Sequence, residues 1–218
     1  MNFFKQPIFL GILAVALVIT IIWSFIANKN SASSTTTQQT TTGSTVQATT
    51  SDLTNATPSD FDNTVKDEVT AATKFALEFN PEFKLSVIEV VIGSNLQQSS
   101  IVTRYAFSTT KDVRNNWVYT TNQSDGSFIR ALIPKADYLG DIVPINASLW
   151  KYNYISALQQ AEKSGGSDWR SKNTLLDVTL TLKESADLKK LYWTISYRSA
   201  DSTDTIVIDA TTLEVSQQ

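Results

Sequence analysis

The chain of 218 residues contains no cysteine and no histidine, and these two absences exclude much catalytic and metal-binding chemistry. Without cysteine there is no disulfide, no thiolate nucleophile and no acylated lipoprotein cysteine. Without histidine there is no Ser-His-Asp triad, and most kinds of zinc site are excluded. The chemistry that remains would use carboxylates, lysine, tyrosine or a Ser–Lys pair. The sequence therefore assigns no catalytic residue, no metal ligand and no cofactor.

An excess of one charge is also missing, because 18 basic residues stand against 21 acidic ones, for a formal net charge of −3. No long basic run offers the attraction that draws proteins to a phosphate backbone. We therefore expect no nucleic-acid partner. Outside one apolar and one polar segment about 160 residues remain, which is enough for one domain or two small ones.

Residues 8–27, IFLGILAVALVITIIWSFIA, form a long apolar run without a charge. At about 1.5 Å per residue, a helix of this length crosses a hydrocarbon core of roughly 30 Å. Lys5 precedes the run, and after Lys29 no basic residue follows until Lys66. The inside-positive bias then predicts a cytoplasmic N-terminus, a single-pass anchor in the cell membrane within residues 1–29, and an extracytoplasmic remainder. A cleaved signal peptide is the alternative, although the run is longer than a usual signal-peptide core.

Residues 30–60 are dominated by serine and threonine and contain no aromatic and no basic residue. Such a segment cannot bury enough apolar surface to offset its ordering entropy, so the composition predicts a flexible linker. A coil of about thirty residues extends roughly 30 Å on average. We therefore expect the folded part of the chain to lie just outside the membrane.

Residues 61–134 have the pattern of a first α+β unit. A helix is predicted over 64–79, where the apolar residues Val65, Val69, Ala72, Ala76 and Phe79 recur at steps of four and three. Asn80-Pro81 ends it. Alternating and β-branched residues then predict strands over 84–94, 101–107, 115–121 and 127–133, with a hairpin turn at Ser124-Asp125-Gly126.

Residues 148–218 repeat this order as a second α+β unit. A short helix over 152–166 carries Tyr154, Leu158 and Ala161 on one face and is expected to stop at Gly165-Gly166. Strands are predicted over 176–182, 191–197 and 205–209. A helix followed by antiparallel strands, twice over, predicts an α+β fold with antiparallel sheets that are each packed by a helix.

The alternation along the second unit also predicts which side chains are buried. Trp193 and Ile195 should face the helix that carries Leu158 and Ala161, and Thr194 should lie on the opposite face. Strand aromatics could instead form a ligand platform, but their spacing favours a core position; they are Trp117, Tyr119, Trp193 and Tyr197.

The chain closes on the segment 207–215, VIDATTLEV, which follows a strand containing Tyr192-Trp193 and a helix with the paired alanines Ala157 and Ala161. In this order of features, residues 150–215 resemble a PepSY domain, whose closing motif reads VxVDAxTGEV. Residues 61–134 lack the Asp-Ala turn and would be a diverged first copy. The resemblance implies an exported or membrane-bound protein that binds or inhibits a peptidase.

Two residues of this closing segment carry specific expectations. Asp209 at the strand end is interpreted as structural, accepting hydrogen bonds from the backbone of the turn that follows. Leu213 stands where the family pattern has glycine. Because a positive φ would strain leucine by about 1 kcal/mol, we expect the turn to take another form here.

The leading hypothesis is a membrane-anchored, non-enzymatic extracytoplasmic module that binds or regulates an envelope protein or peptide, such as a peptidase. A structural spacer within an envelope complex is one alternative. The other is a hydrolase that uses carboxylates or a Ser–Lys pair, for which the candidates are Asp137, Asp141, Glu162, Lys163 and Ser164. Paired carboxylates need different environments to separate their pKa values, and a sequence does not show those environments.

Overall fold

Seven strands form one antiparallel sheet in the computed structural model of the protein, which describes residues 52–121 and 126–216. In chain order the strands are β1 (Lys84–Gly93), β2 (Ile101–Ser108), β3 (Asn115–Thr121), β4 (Phe128–Pro134), β5 (Asp177–Ser185), β6 (Lys190–Arg198) and β7 (Thr203–Asp209). Across the sheet their order is β4-β3-β2-β1-β5-β6-β7, and neighbouring strands are antiparallel. The predicted α+β class with antiparallel strands is confirmed.

Helices precede both groups of strands, as the sequence predicts. Helix α1 (Asp62–Phe79) comes before β1, and helices α2 (Tyr154–Ala161) and α3 (Ser167–Lys172) come before β5. Helix α2 begins at Asn153, whose side chain accepts hydrogen bonds from the backbone N–H groups of Ile155 and Ser156. Buried residues of α1 and α2 belong to the same hydrophobic core, on one face of the sheet.

The two predicted α+β units share this sheet, whereas the sequence suggested a sheet for each. Strand β1 joins them, because it pairs with β2 on one side and with β5 on the other. Val87, Ile88 and Val90 of β1 are all buried, so both faces of the strand are covered. A strand that is apolar on both faces is typical of a sheet interior, and its near-continuous apolar run gave no sign of which strands flank it.

The predicted register of β6 is confirmed. Trp193 and Ile195 are fully buried and share a core with Leu158 and Ala161 of α2. The Trp193 indole Nε1 donates a hydrogen bond of 3.0 Å to the backbone oxygen of Tyr152 just before α2. Thr194, on the opposite face, is half-exposed.

Residues 52–60 pack against the folded unit, although the sequence assigned them to the flexible linker. Leu53 is fully buried, and its backbone N–H donates to the oxygen of Leu96 at 2.9 Å. The Gln159 side chain donates to the backbone oxygen of Ala56 at 2.6 Å, and that of Asn153 donates to the oxygen of Pro58 at 2.8 Å. A single leucine within a polar stretch gives no periodic signal, so the composition placed the start of the folded unit too far along the sequence.

The helical segment of the second unit continues beyond Gly165-Gly166, where the sequence predicted its end. Gly165 adopts φ +126°, which breaks the helix within the turn Glu162–Gly166, and α3 follows directly. Gly166 lies against the ring of Tyr197, since a Cβ on this residue would lie 2.3 Å from the Tyr197 hydroxyl oxygen. The glycine pair therefore bends the helical segment and admits the tyrosine instead of ending the helix.

The turn after β7 keeps the positive backbone angle that we expected leucine to avoid. Leu213 has φ 63°, and its N–H donates to the backbone oxygen of Asp209 at 2.9 Å. The Asp209 carboxylate accepts hydrogen bonds from the N–H groups of Thr211 at 2.8 Å and Thr212 at 3.2 Å. The structural interpretation of Asp209 agrees with this geometry. The partly buried Leu213 side chain packs against the core, which offsets the backbone strain.

A connector of residues 135–146 crosses the face of the sheet opposite the helices. Ile142 packs there against Val87 and Val118 in a second, smaller hydrophobic cluster. The Tyr138 hydroxyl donates to the Glu89 carboxylate at 2.6 Å, and the same carboxylate pairs with Arg104. This connector therefore covers the middle of the sheet on the face opposite the helices.

No helix within residues 52–121 and 126–216 is long and apolar enough to cross a membrane. The predicted span of residues 8–27 lies outside the described residues, as do most of the predicted linker and part of the predicted turn at 124–126.

Candidate protein-binding edge

The two outer strands of the sheet differ in how their edges are covered. At β7 the chain folds back on itself, so that Val215 pairs with Ile208 in a β-bridge. The Ser216 N–H donates to the oxygen of Val207 at 2.8 Å, and the Asp209 N–H donates to the oxygen of Glu214 at 2.9 Å. Residues 214–216 therefore occupy part of the β7 edge.

Strand β4 forms the other edge, and within the described part of the chain no strand pairs with its outer side. The Lys135 N–H, directly after β4, donates to the oxygen of Arg114, directly before β3, at 2.9 Å. Lys135 and Arg114 are therefore a hydrogen-bonded antiparallel pair. Because antiparallel pairs alternate, Ile129, Ala131 and Ile133 also point their backbone groups toward β3. The N–H and C=O groups of the residues between them point outward; these residues are Phe128, Arg130 and Leu132.

Apolar side chains surround this edge, and we call the group formed by Phe75, Phe79, Phe128, Arg130 and Leu132 the edge surface. Phe79 and Leu132 are each 48% exposed, and Phe75 is 40% exposed. The rings of Phe75 and Phe128 lie 5.8 Å apart. Phe75 and Phe79 are one helical turn apart, so α1 presents both toward β3 and β4. On the opposite face of β4, Ile129 is 59% exposed.

Arg130 supplies the charge of this surface. Its guanidinium carbon lies 3.7 Å from the ring centre of Phe79 and 5.7 Å from that of Trp117, so it stacks on both aromatics. No carboxylate in the described part of the chain forms an ion pair with it. Burial raises the pKa of the neighbouring Tyr119 phenol, and the Arg130 charge opposes that rise. The edge surface therefore combines exposed apolar rings with a cation that has no acidic partner among the described residues.

The enclosed crevice beneath α1 is too small for an organic ligand. It lies among Glu68, Tyr105, Tyr154 and their neighbours and has a volume of about 10 Å³, which is room for a single water molecule. The Tyr105 hydroxyl donates to the Glu68 carboxylate at 3.0 Å. Burial, and secondarily the Glu68 charge, raise the pKa values of Tyr105 and Tyr154. The Glu68 carboxylate therefore satisfies the Tyr105 hydroxyl at this crevice.

The acidic residues considered for a hydrolase lie on different sides of the sheet. Asp141 belongs to the connector and pairs with Lys135 at 3.1 Å. Glu162 follows α2 on the helix side and pairs with Arg170. The Ser164 hydroxyl donates to the backbone oxygen of Gln160 at 2.8 Å. Asp137 and Lys163 are exposed. No group of three or more metal-ligating side chains occurs among the residues that the structure describes.

The aromatic residues that the sequence placed in the core divide into two groups. Tyr119, Trp193 and Tyr197 are fully buried. Trp117 is half-buried and contributes to the stack beneath Arg130.

Sequence reasoning missed the edge surface. It assigned Phe79 to the buried face of α1 and did not use Phe75. Phe75 lies one turn before Phe79 and widens the apolar face of the helix, and this second aromatic residue was the signal available in the sequence.

Comparison with known proteins does not identify a family. No protein-family model and no curated protein matches the chain. Among solved structures, a protein of Clostridium difficile 630 described as a "putative lipoprotein" is similar, with a TM-score of 0.44 and 10% sequence identity. The match covers 68% of this chain and 90% of that one.

Proposed function

We propose that this protein is a membrane-tethered, extracytoplasmic and non-enzymatic module that binds a protein of the cell envelope through the edge surface. The observation that carries this proposal is the cluster of exposed apolar side chains formed by Phe75 and Phe79 of α1 and Leu132 of β4. Exposed aromatic residues grouped together, with an arginine among them, are typical of binding surfaces.

The sequence supports the cellular setting of this proposal. The predicted anchor at residues 8–27 and the predicted Ser/Thr-rich linker would hold the folded unit outside the membrane. The resemblance of residues 150–215 to PepSY domains favours a peptidase as the partner. In this account the module binds or restrains such an enzyme.

The composition of the edge surface favours binding over a spacer role. A spacer needs no exposed aromatic cluster, and leaving Phe79 and Leu132 in water has a cost of roughly 1 kcal/mol or more each compared with burying them. For a hydrolase, two of the three candidate acids are already engaged in the ion pairs Lys135–Asp141 and Arg170–Glu162. Neither alternative gains a specific supporting observation.

The proposal is tested by photo-crosslinking in cells that make the full-length protein. We replace Phe79 with p-benzoylphenylalanine, which keeps an aromatic ring at the surface, and compare it with the same replacement at Thr205. Thr205 is exposed on β7 at the other end of the sheet, so it serves as the matched control. We expect a discrete adduct from position 79 that is absent from position 205. Adducts at neither position, or equally at both, would contradict the proposal.

A further inference from the structure

We infer that the β4 edge accepts an extended segment of the partner as an eighth strand, with an acidic side chain of that segment opposite Arg130. This inference rests on the proposed function and adds the mode of binding and the chemistry of the bound segment. Its basis is the juxtaposition of outward backbone groups, flanking apolar side chains and an arginine along one edge.

The backbone of β4 sets the register of such an addition. Phe128, Arg130 and Leu132 each direct one N–H and one C=O away from β3, which offers three donors and three acceptors to an incoming strand. Pro134 has no N–H, so the ladder ends there. The Leu132 N–H does not bond to β3, and its loss therefore leaves the internal pairing of the sheet intact.

The side chains of β4 set the chemistry of the incoming strand. Residues opposite Phe128, Arg130 and Leu132 would project to the helix face, where Phe79 and Leu132 are exposed. Directly opposite side chains in antiparallel strands lie close enough to interact, and opposite charges there are favourable. The partner segment therefore carries a carboxylate between two apolar residues on one face.

Two other occupants fit this edge poorly. A second copy of the chain, paired so that all three outward residues bond, would place Arg130 opposite Arg130, and like charges at that position are unfavourable. The chain's own residues 30–51 contain no acidic residue, and Val46 is their only branched aliphatic side chain. The chemistry of the edge therefore points to a segment of another protein.

The probe is a heptapeptide, Thr-Val-Thr-Glu-Thr-Val-Thr, with an N-terminal benzophenone. Its sequence reads the same in both directions, so either strand polarity places the glutamate between two valines on one face. A matched peptide carries lysine at the centre. Each is irradiated with the full-length protein in nanodiscs, and the attachment site is mapped by mass spectrometry.

We expect the glutamate peptide to attach to β4 and the end of α1, roughly two- to fivefold more than the lysine peptide, as cross-strand charge pairs allow. Arg130→Glu should reverse this preference. Arg130 is exposed, so the variant should remain folded, and a gain of labelling by the lysine peptide does not arise from misfolding. Equal labelling by both peptides in both proteins would overturn the inference.

Two variants at position 132 separate the contribution of the backbone N–H to peptide binding from that of the leucine side chain. Leu132→Pro removes an outward N–H and obstructs the incoming strand, and it should reduce labelling by about tenfold. Leu132→Ala keeps the N–H and should reduce labelling by less than about threefold. Labelling unaffected by Leu132→Pro would overturn strand addition.

The cellular cross-link distinguishes the two proposals. An adduct from position 79 that persists in the Leu132→Pro protein would leave a binding module standing and would overturn strand addition. The absence of any adduct from position 79 overturns the proposed function itself.

Discussion

Leu53 tests whether the folded unit begins before residue 60, as the structure shows. Its side chain is fully buried, so Leu53→Ala removes packed apolar atoms and leaves a cavity. Substitutions of this kind lower the free energy of unfolding by about 2–5 kcal/mol. For a folded unit of this size, a loss of about 3 kcal/mol corresponds to a fall in Tm of roughly 6–12 °C.

The matched control is Leu188→Ala, which makes the same chemical change at a side chain that is 65% exposed. It should alter the free energy of unfolding by less than about 0.5 kcal/mol. Both variants are compared with the wild-type chain by circular dichroism during thermal and urea unfolding. If Leu53→Ala unfolds at the same temperature as Leu188→Ala, the linker extends to residue 60 and the packing of Leu53 is wrong.

Three further predictions concern the core and its titratable groups. Trp193→Ala should lower the free energy of unfolding by about 3–5 kcal/mol and Thr194→Ala by well under 1 kcal/mol, since only Trp193 is buried; equal urea midpoints would contradict the register of β6. Gly166→Ala should lower Tm, because its Cβ would lie 2.3 Å from the Tyr197 hydroxyl oxygen; an unchanged Tm would show that this contact can relax. Burial raises the pKa values of four tyrosine phenols in the folded protein; they are Tyr105, Tyr138, Tyr154 and Tyr197. The free energy of unfolding should therefore fall as pH rises above about 10, because unfolding then releases protons from these phenols. Absorbance at 295 nm and urea midpoints measure this, and a midpoint that stays constant would contradict it.

Side-chain alternation predicted the strands well because it is a local property. The predicted bounds of β3, residues 115–121, agree with the structure, and the buried face of β6 is correct. Glycine was harder to interpret, because Gly165 and Gly166 suit both a helix end and a bend. The structure decides between these through Tyr197, which comes from a distant strand.

The candidate site could not be predicted, because an edge depends on strand order. The pattern along β4 resembles that of a strand inside a sheet, and nothing local shows that its outer side has no neighbouring strand in the described chain. The exposure of Phe79 has the same origin, since the sheet ends beneath it. Interactions between residues far apart in sequence therefore define the edge surface.

The central claim, an open β4 edge, is tested most directly by amide hydrogen exchange of the full-length protein in micelles, followed by NMR. The N–H groups of Ala131 and Ile133 bond to β3 and should exchange slowly, whereas those of Arg130 and Leu132 point outward and should exchange much faster. Addition of the glutamate peptide should slow the exchange of the Arg130 and Leu132 amides. Equal protection of all four amides in the free protein would show that the edge is already covered and would contradict the account.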